Sequence, residues 1–150
     1  MPVVRNPQFN FKEGFCWNNV LNPNARLLKV KMKSASVNDV GSMSLSSVLE
    51  NIPNYYIVCI LNSEFIFDYY REFVNCTVNI QINDIRQLPI IIPTKENLKT
   101  LFKKFEKAIS LKIAVAKNIA TEQDIFQELS KIEEDTNKFI NNLYKIQLFH

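Results

Sequence analysis

Residues 26–33, RLLKVKMK, alternate without a break: Leu28, Val30 and Met32 fall on one side, Lys29, Lys31 and Lys33 on the other. A period of two predicts a half-buried strand. The stretch CTVNIQIN at 76–83 alternates in the same way, with Val78, Ile80 and Ile82 on one face, and predicts a second strand. QLPIIIP, at 87–93, is a short apolar run closed by prolines, so it reads as extended chain at a sheet edge. Between the first two, SASVNDVGSMSLSS (34–47) is small, polar and loop-like. Residues 1–25 carry Pro2, Pro7, Pro23 and many asparagines, and read as irregular apart from a short ordered piece at Gly14–Val20.

YYIVCILNSEFIFDYYREF, at 55–73, is apolar nearly all round but is interrupted by Asn62, Ser63 and Glu64. Either this is one long buried helix with a polar blemish, or two short helices meet at a corner there. Ser63 is a good helix N-cap, which suits a second helix starting near Glu64. From Thr94 the period becomes helical. Leu98, Phe102, Phe105, Ile109, Ile113 and Ala116 form one stripe, and Thr94 is the expected cap. Thr121 and Asp124 have the spacing of a loose capping box. They restart a second helix whose stripe is Ile125, Leu129, Ile132, Phe139, Leu143 and Ile146. The short link between the two long helices predicts an antiparallel hairpin. The expected fold is therefore α+β: a small mixed lobe over residues 1–93, with the hairpin of residues 94–150 packed on it.

Composition narrows the chemistry. The 150 residues are 47% hydrophobic and 22% charged, enough for one domain with a real core. The net charge of +3 is well below the basic footprint of a domain that grips nucleic acid unaided. It is also spread out: residues 1–93 carry 8 basic and 7 acidic side chains, residues 94–150 carry 10 and 8. Any basic patch must come from local arrangement. The 3 cysteines, Cys16, Cys59 and Cys76, are odd in number and widely spaced, and suit free thiols in a reducing cytoplasm. Asn75-Cys76-Thr77 is formally a glycosylation sequon, with nothing else pointing to secretion.

No catalytic constellation appears. The only histidine is His150 and the only glycines are Gly14 and Gly41, so a zinc site, a Ser/His/Asp set and a glycine-rich phosphate loop all lack their parts. The sequence reads as a protein without its own catalytic site or cofactor. The sharpest local charge signal is Arg26 with Lys29, Lys31 and Lys33. On one strand face these lysines would stand roughly 7 Å apart, near the spacing of phosphates along a nucleic-acid strand. The competing reading is a sheet edge guarded by lysines against aggregation.

Three stretches in order, FKEGFCWNNV, NYYIVCILNSEFIFDYY and INDIRQLPIIIPTKENLKTL, resemble the target recognition domains of fused, type IIG-like restriction–modification enzymes and adenine-specific DNA methyltransferases. The same order occurs in each half of type I restriction specificity subunits. The resemblance covers most of the chain. It implies two helices flanking a turn at Asn62–Glu64. It also implies a cytoplasmic bacterial domain that directs companion methyltransferase and nuclease domains to double-stranded DNA. The chain would then be one portion of such an enzyme. The lysines would hold phosphates, and base readout would come from the N-terminal lobe. Asn38, Ser42, Ser44, Ser46, Asn79 and Gln81 are the candidates by donor and acceptor chemistry. The alternative is an interaction or scaffold module acting through the hairpin. Phe102, Phe105 and Ile109 are expected to meet Phe139, Leu143 and Ile146, and the apolar surface left over would serve self-association or docking on a methyltransferase domain.

Overall fold

The computed structural model describes residues 11–36 and 42–147. Strands β1 (Gly14–Asn18), β2 (Lys31–Lys33) and β3 (Ser42–Leu45) form an antiparallel sheet in the order β2-β1-β3. The short piece around Gly14 is therefore the centre of the sheet. Its partner β3 lies inside the stretch that reads as loop. Met43 and Leu45 do alternate with serines there, but four residues among turn formers are too few to stand out. Gly14 is required by close approach: a Cβ on it would lie 2.3 Å from the carbonyl oxygen of Leu45. Phe15 and Trp17 are buried on one side of β1, and the Trp17 indole donates to the carbonyl of Ile80 across 3.4 Å.

The predicted strand at 26–33 survives only in part. Leu28 and Val30 are buried as expected, but Lys29 has a φ of 55°. A residue in that left-handed region cannot continue a strand, so only Lys31–Lys33 pairs with β1. Met32 is 38% exposed, and Lys33, expected to face water, is 8% exposed. The 76–83 stretch departs further. It contributes a single bridge, Val20 to Asn79, and then turns into helix α3 (Ile82–Ile85). A capping box between Gln81 and Asp84 starts that helix and overrides the alternation. Residues 89–94 have no regular secondary structure and join no strand. Tyr56 donates to the Ile91 carbonyl at 2.9 Å and Tyr144 to the Pro89 carbonyl at 2.5 Å.

The polar break is a corner. Helix α1 (Asn54–Leu61) ends at Asn62 and helix α2 (Glu64–Tyr69) begins after Ser63, then widens into a π-helical turn at Tyr70–Val74. Ser63 is fully buried; its hydroxyl donates to the Ile60 carbonyl at 2.7 Å and accepts from the Ile66 amide at 3.3 Å. Asn62 accepts from the Val30 amide at 2.8 Å and donates to the Val30 carbonyl at 2.7 Å. It takes the place of the strand partner that Val30 lacks.

Helices α4 (Lys95–Ala116) and α5 (Glu122–Gln147) form the predicted antiparallel hairpin. The Thr94 hydroxyl accepts from the Asn97 amide, and Thr121 and Asp124 cap α5 reciprocally. The hydrogen bonds from Thr121 hold the Asp124 carboxyl below the usual carboxylate range. The hairpin's open end packs on the lobe, α4 against α1 and α5 against α2. Leu101, Ile140 and Tyr144 join the core there. The fold is α+β, with one hydrophobic cluster running from the sheet through α1 and α2 into the base of the hairpin. No helix among the described residues is long and apolar enough to cross a membrane.

Asn62→Ala should unfold at lower denaturant than wild type. It strands the Val30 amide and carbonyl in a part-buried site, at a cost of about 1–3 kcal/mol. A urea midpoint unchanged from wild type would show that the corner does not hold the lobe.

Candidate nucleic-acid interface

β1 sorts the lobe's side chains into two sides. Phe15, Trp17 and Leu21 are buried; Cys16 is half-buried, and Asn18 and Val20 are exposed. The alternation persists through the bend at Asn19. Directly paired residues on antiparallel strands project to the same side, so the register carries the pattern outward. Lys31 and Ser44 flank Cys16, and the β3 position of Ser42 is paired with Asn18. Asn79 is paired with Val20. On the opposite side, Ile80 is buried near Trp17. The backbone links on each side of the bridge are short: the Leu21 amide donates to Val78 at 2.6 Å and the Ile80 amide to Asn19 at 2.8 Å.

Residues far apart in sequence thus meet on one polar face: Lys31 from β2, Cys16 and Asn18 from β1, Ser44 from β3 and Asn79 from the bridged segment. Asn18 and Cys16 were missed by sequence reasoning. The alternation of GFCWN would have shown that they share a side, but not that this side is the outer one. Arg26 and Lys29 are exposed on the irregular segment leading into β2. Among the described residues neither they nor Lys31 has an acidic partner; the ion pairs among these residues all lie in the hairpin. All three are exposed cations.

The other candidates fare differently. Lys33 is a structural lysine: its ammonium donates to the carbonyls of Ser36 at 2.7 Å and Lys12 at 3.1 Å. Burial and these two bonds remove it from the proposed phosphate row. Gln81 is the N-cap residue of α3, its backbone amide donating to the Asp84 carboxylate at 2.8 Å. Ser46 follows β3 and is half-buried. Asn38 and the side chain of Ser42 lie outside the described residues. The three cysteines are free thiols, and burial pushes Cys59 up to about 12, which keeps it protonated at neutral pH. No cluster of potential metal ligands occurs among the described residues.

The expected meeting of the hairpin aromatics does not occur as predicted. Lys104 pairs with Asp135 at 3.8 Å, Lys107 with Glu128 at 2.5 Å and Lys112 with Glu122 at 2.8 Å. Phe105, between the first two lysines, faces the stretch between Glu128 and Asp135, short of Phe139. Phe102 and Phe105 instead pack on Tyr55 of α1, at ring distances of 5.2 and 5.8 Å. Phe139 is partly buried against the core and Leu143 is half-buried. The side chain of Ile146 lies outside the described residues. Ile109 and Ile113 lie beyond the reach of α1 and are 40% and 47% exposed.

No protein-family model matches the chain, and no curated protein matches it significantly.

Removing the two lysine ammonium groups should separate their roles. Lys33→Ala should lose about 1–2 kcal/mol of stability through its two carbonyl partners. Lys31→Ala should stay within about 0.5 kcal/mol of wild type, as exposed substitutions do. Urea unfolding of both variants measures this, and equal effects would contradict the assignment.

Proposed function

We propose that this chain is a DNA target recognition domain of a bacterial restriction–modification enzyme, which positions a companion methyltransferase or endonuclease on its site. The observation that carries the reading is the polar sheet face, where β1 gathers Lys31, Asn18, Ser44 and Asn79 beside the exposed Arg26 and Lys29. Cations at the rim suit phosphate contacts that position the domain; carboxamides and hydroxyls on the face suit base edges. The order of motifs resembling such domains supports the same reading. On it, the chain has no catalytic site or cofactor of its own and works in the cytoplasm, where its DNA is. A modest net charge fits a domain whose companions share the grip on DNA.

The test is duplex binding over a range of salt. Affinity should fall linearly in log salt, by about 0.9 per phosphate neutralised. The triple change Arg26→Ala, Lys29→Ala, Lys31→Ala should weaken all duplexes alike and flatten that slope by about one unit for each phosphate no longer held. Wild-type chain that binds no duplex at low salt, or a slope that ignores the triple change, would refute this function.

A second role rests on the exposed part of α4. Ile109 and Ile113 extend the apolar stripe past α1, and Lys99, Lys103 and Lys117 are exposed on the same helix or at its end. We therefore assign this surface to an apolar, acid-rimmed face of the companion methyltransferase domain. Ile113→Glu should keep its helicity by circular dichroism, because the site is exposed, and lose the companion in sedimentation. Undiminished complex formation by that variant would remove the docking role.

A further inference from the structure

The lobe is rich in asparagine, and the structure divides these residues by what their carboxamides already do. Asn22 accepts from the Asn24 amide, Asn54 from Ser47 and Asn62 bonds Val30 twice. Asn75 accepts from the Thr77 amide and donates to Asp84 and to the Asn79 carbonyl. All of these carboxamides are committed to the fold. Of the lobe's other exposed asparagines, Asn24 and Asn51 lie in turns and Asn83 in α3; Asn18 and Asn79 are exposed on the polar sheet face, and neither side chain has a hydrogen-bond partner among the described residues. Asn79 is bridged to Val20, two residues beyond Asn18, so the two asparagines are diagonal neighbours across the pairing. That diagonal spans about 7 Å, or roughly two steps of a duplex rising about 3.4 Å per nucleotide along each strand.

We propose that Asn18 and Asn79 each read one adenine, two base-pair steps apart, in the major groove of the target. A carboxamide matches adenine's major-groove edge with two bonds. Its Oδ1 accepts from the N6 amino group, and its Nδ2 donates to N7. No other base offers that donor and acceptor together on its own major-groove edge. Two neighbouring strands, about 4.8 Å apart, fit within a groove about 12 Å wide. Lys31 on the same face then lies toward the phosphates. This inference rests on the DNA-recognition reading above and adds the base that is read and the residues that read it.

The experiment selects bound duplexes from a randomised pool with the full chain and sequences them. Wild type should enrich adenine at two positions separated by two steps. Asn18→Ala should erase the preference at one of them and Asn79→Ala at the other, each by roughly ten- to a hundredfold. Asn79→Asp should move its position from adenine toward cytosine, whose N4 amino group a carboxylate accepts. Unchanged thermal melts verify that these exposed substitutions leave the fold intact. Duplex binding whose adenine preference survives both alanine changes, or which shows none, overturns this inference and leaves the DNA-recognition reading standing. Absence of any duplex binding overturns both.

Discussion

The paired hydrogen bonds between Asn62 and the backbone of Val30 are the constraint on which the rest of the lobe depends. Lys29, with its left-handed backbone, keeps β2 from starting before Lys31 and leaves the amide and carbonyl of Val30 without a sheet partner in a part-buried place. Buried backbone groups left unpaired are costly. Asn62 supplies a peptide-like donor and acceptor from the end of α1 and binds the sheet to the helices. The next two residues extend the junction. Ser63 closes α1 and opens α2 with one buried hydroxyl, and the Glu64 amide donates to Asn137 of α5 at 3.1 Å. Three consecutive polar residues thus connect sheet, both short helices and hairpin. They are what a corner inside an apolar segment requires.

With the corner in place, β1 becomes a divider. Its apolar side rests on the core through Phe15 and Trp17, and Gly14 lets β3 come close enough to pair. The opposite side is left polar, and the neighbouring strands add their own residues in register. This is how a chain with evenly spread charge obtains a local cationic and hydrogen-bonding surface. The same geometry takes Lys33 away from that surface, because its ammonium is drawn under the carbonyls of Lys12 and Ser36.

The hairpin divides along its length. At the base, Leu101, Ile140 and Tyr144 are buried, and Phe65 stacks on Tyr144 with ring centres 4.4 Å apart. Further out, α4 and α5 meet mainly through each other, and the lysine–carboxylate pairs there are well exposed. Such surface pairs contribute little stability, about 0–1 kcal/mol each; their clearer effect is on register. The outer turns therefore keep apolar side chains in water, a surface suited to a neighbour.

Local signals were decisive wherever a few adjacent residues control the outcome. The two long helices, their caps at Thr94 and Thr121, the antiparallel hairpin and the corner at Ser63 were all legible, because helix periodicity and capping act within a turn or two of chain. The α+β class followed from the switch of period at Thr94. Short strands were the weak point. A strand exists only through its partners, so SMSL looked like loop until β1 was placed beside it, and VNIQIN looked like strand until Asp84 capped a helix at Gln81. The same limit applied to the site. Composition could nominate asparagines, serines and lysines, but which carboxamides are already bonded and which ammonium is buried are facts of distant contact. Asn62 and Val30, or Asn79 and Val20, are neighbours only in three dimensions, and burial and pairing across such distances were decided by the tertiary structure alone.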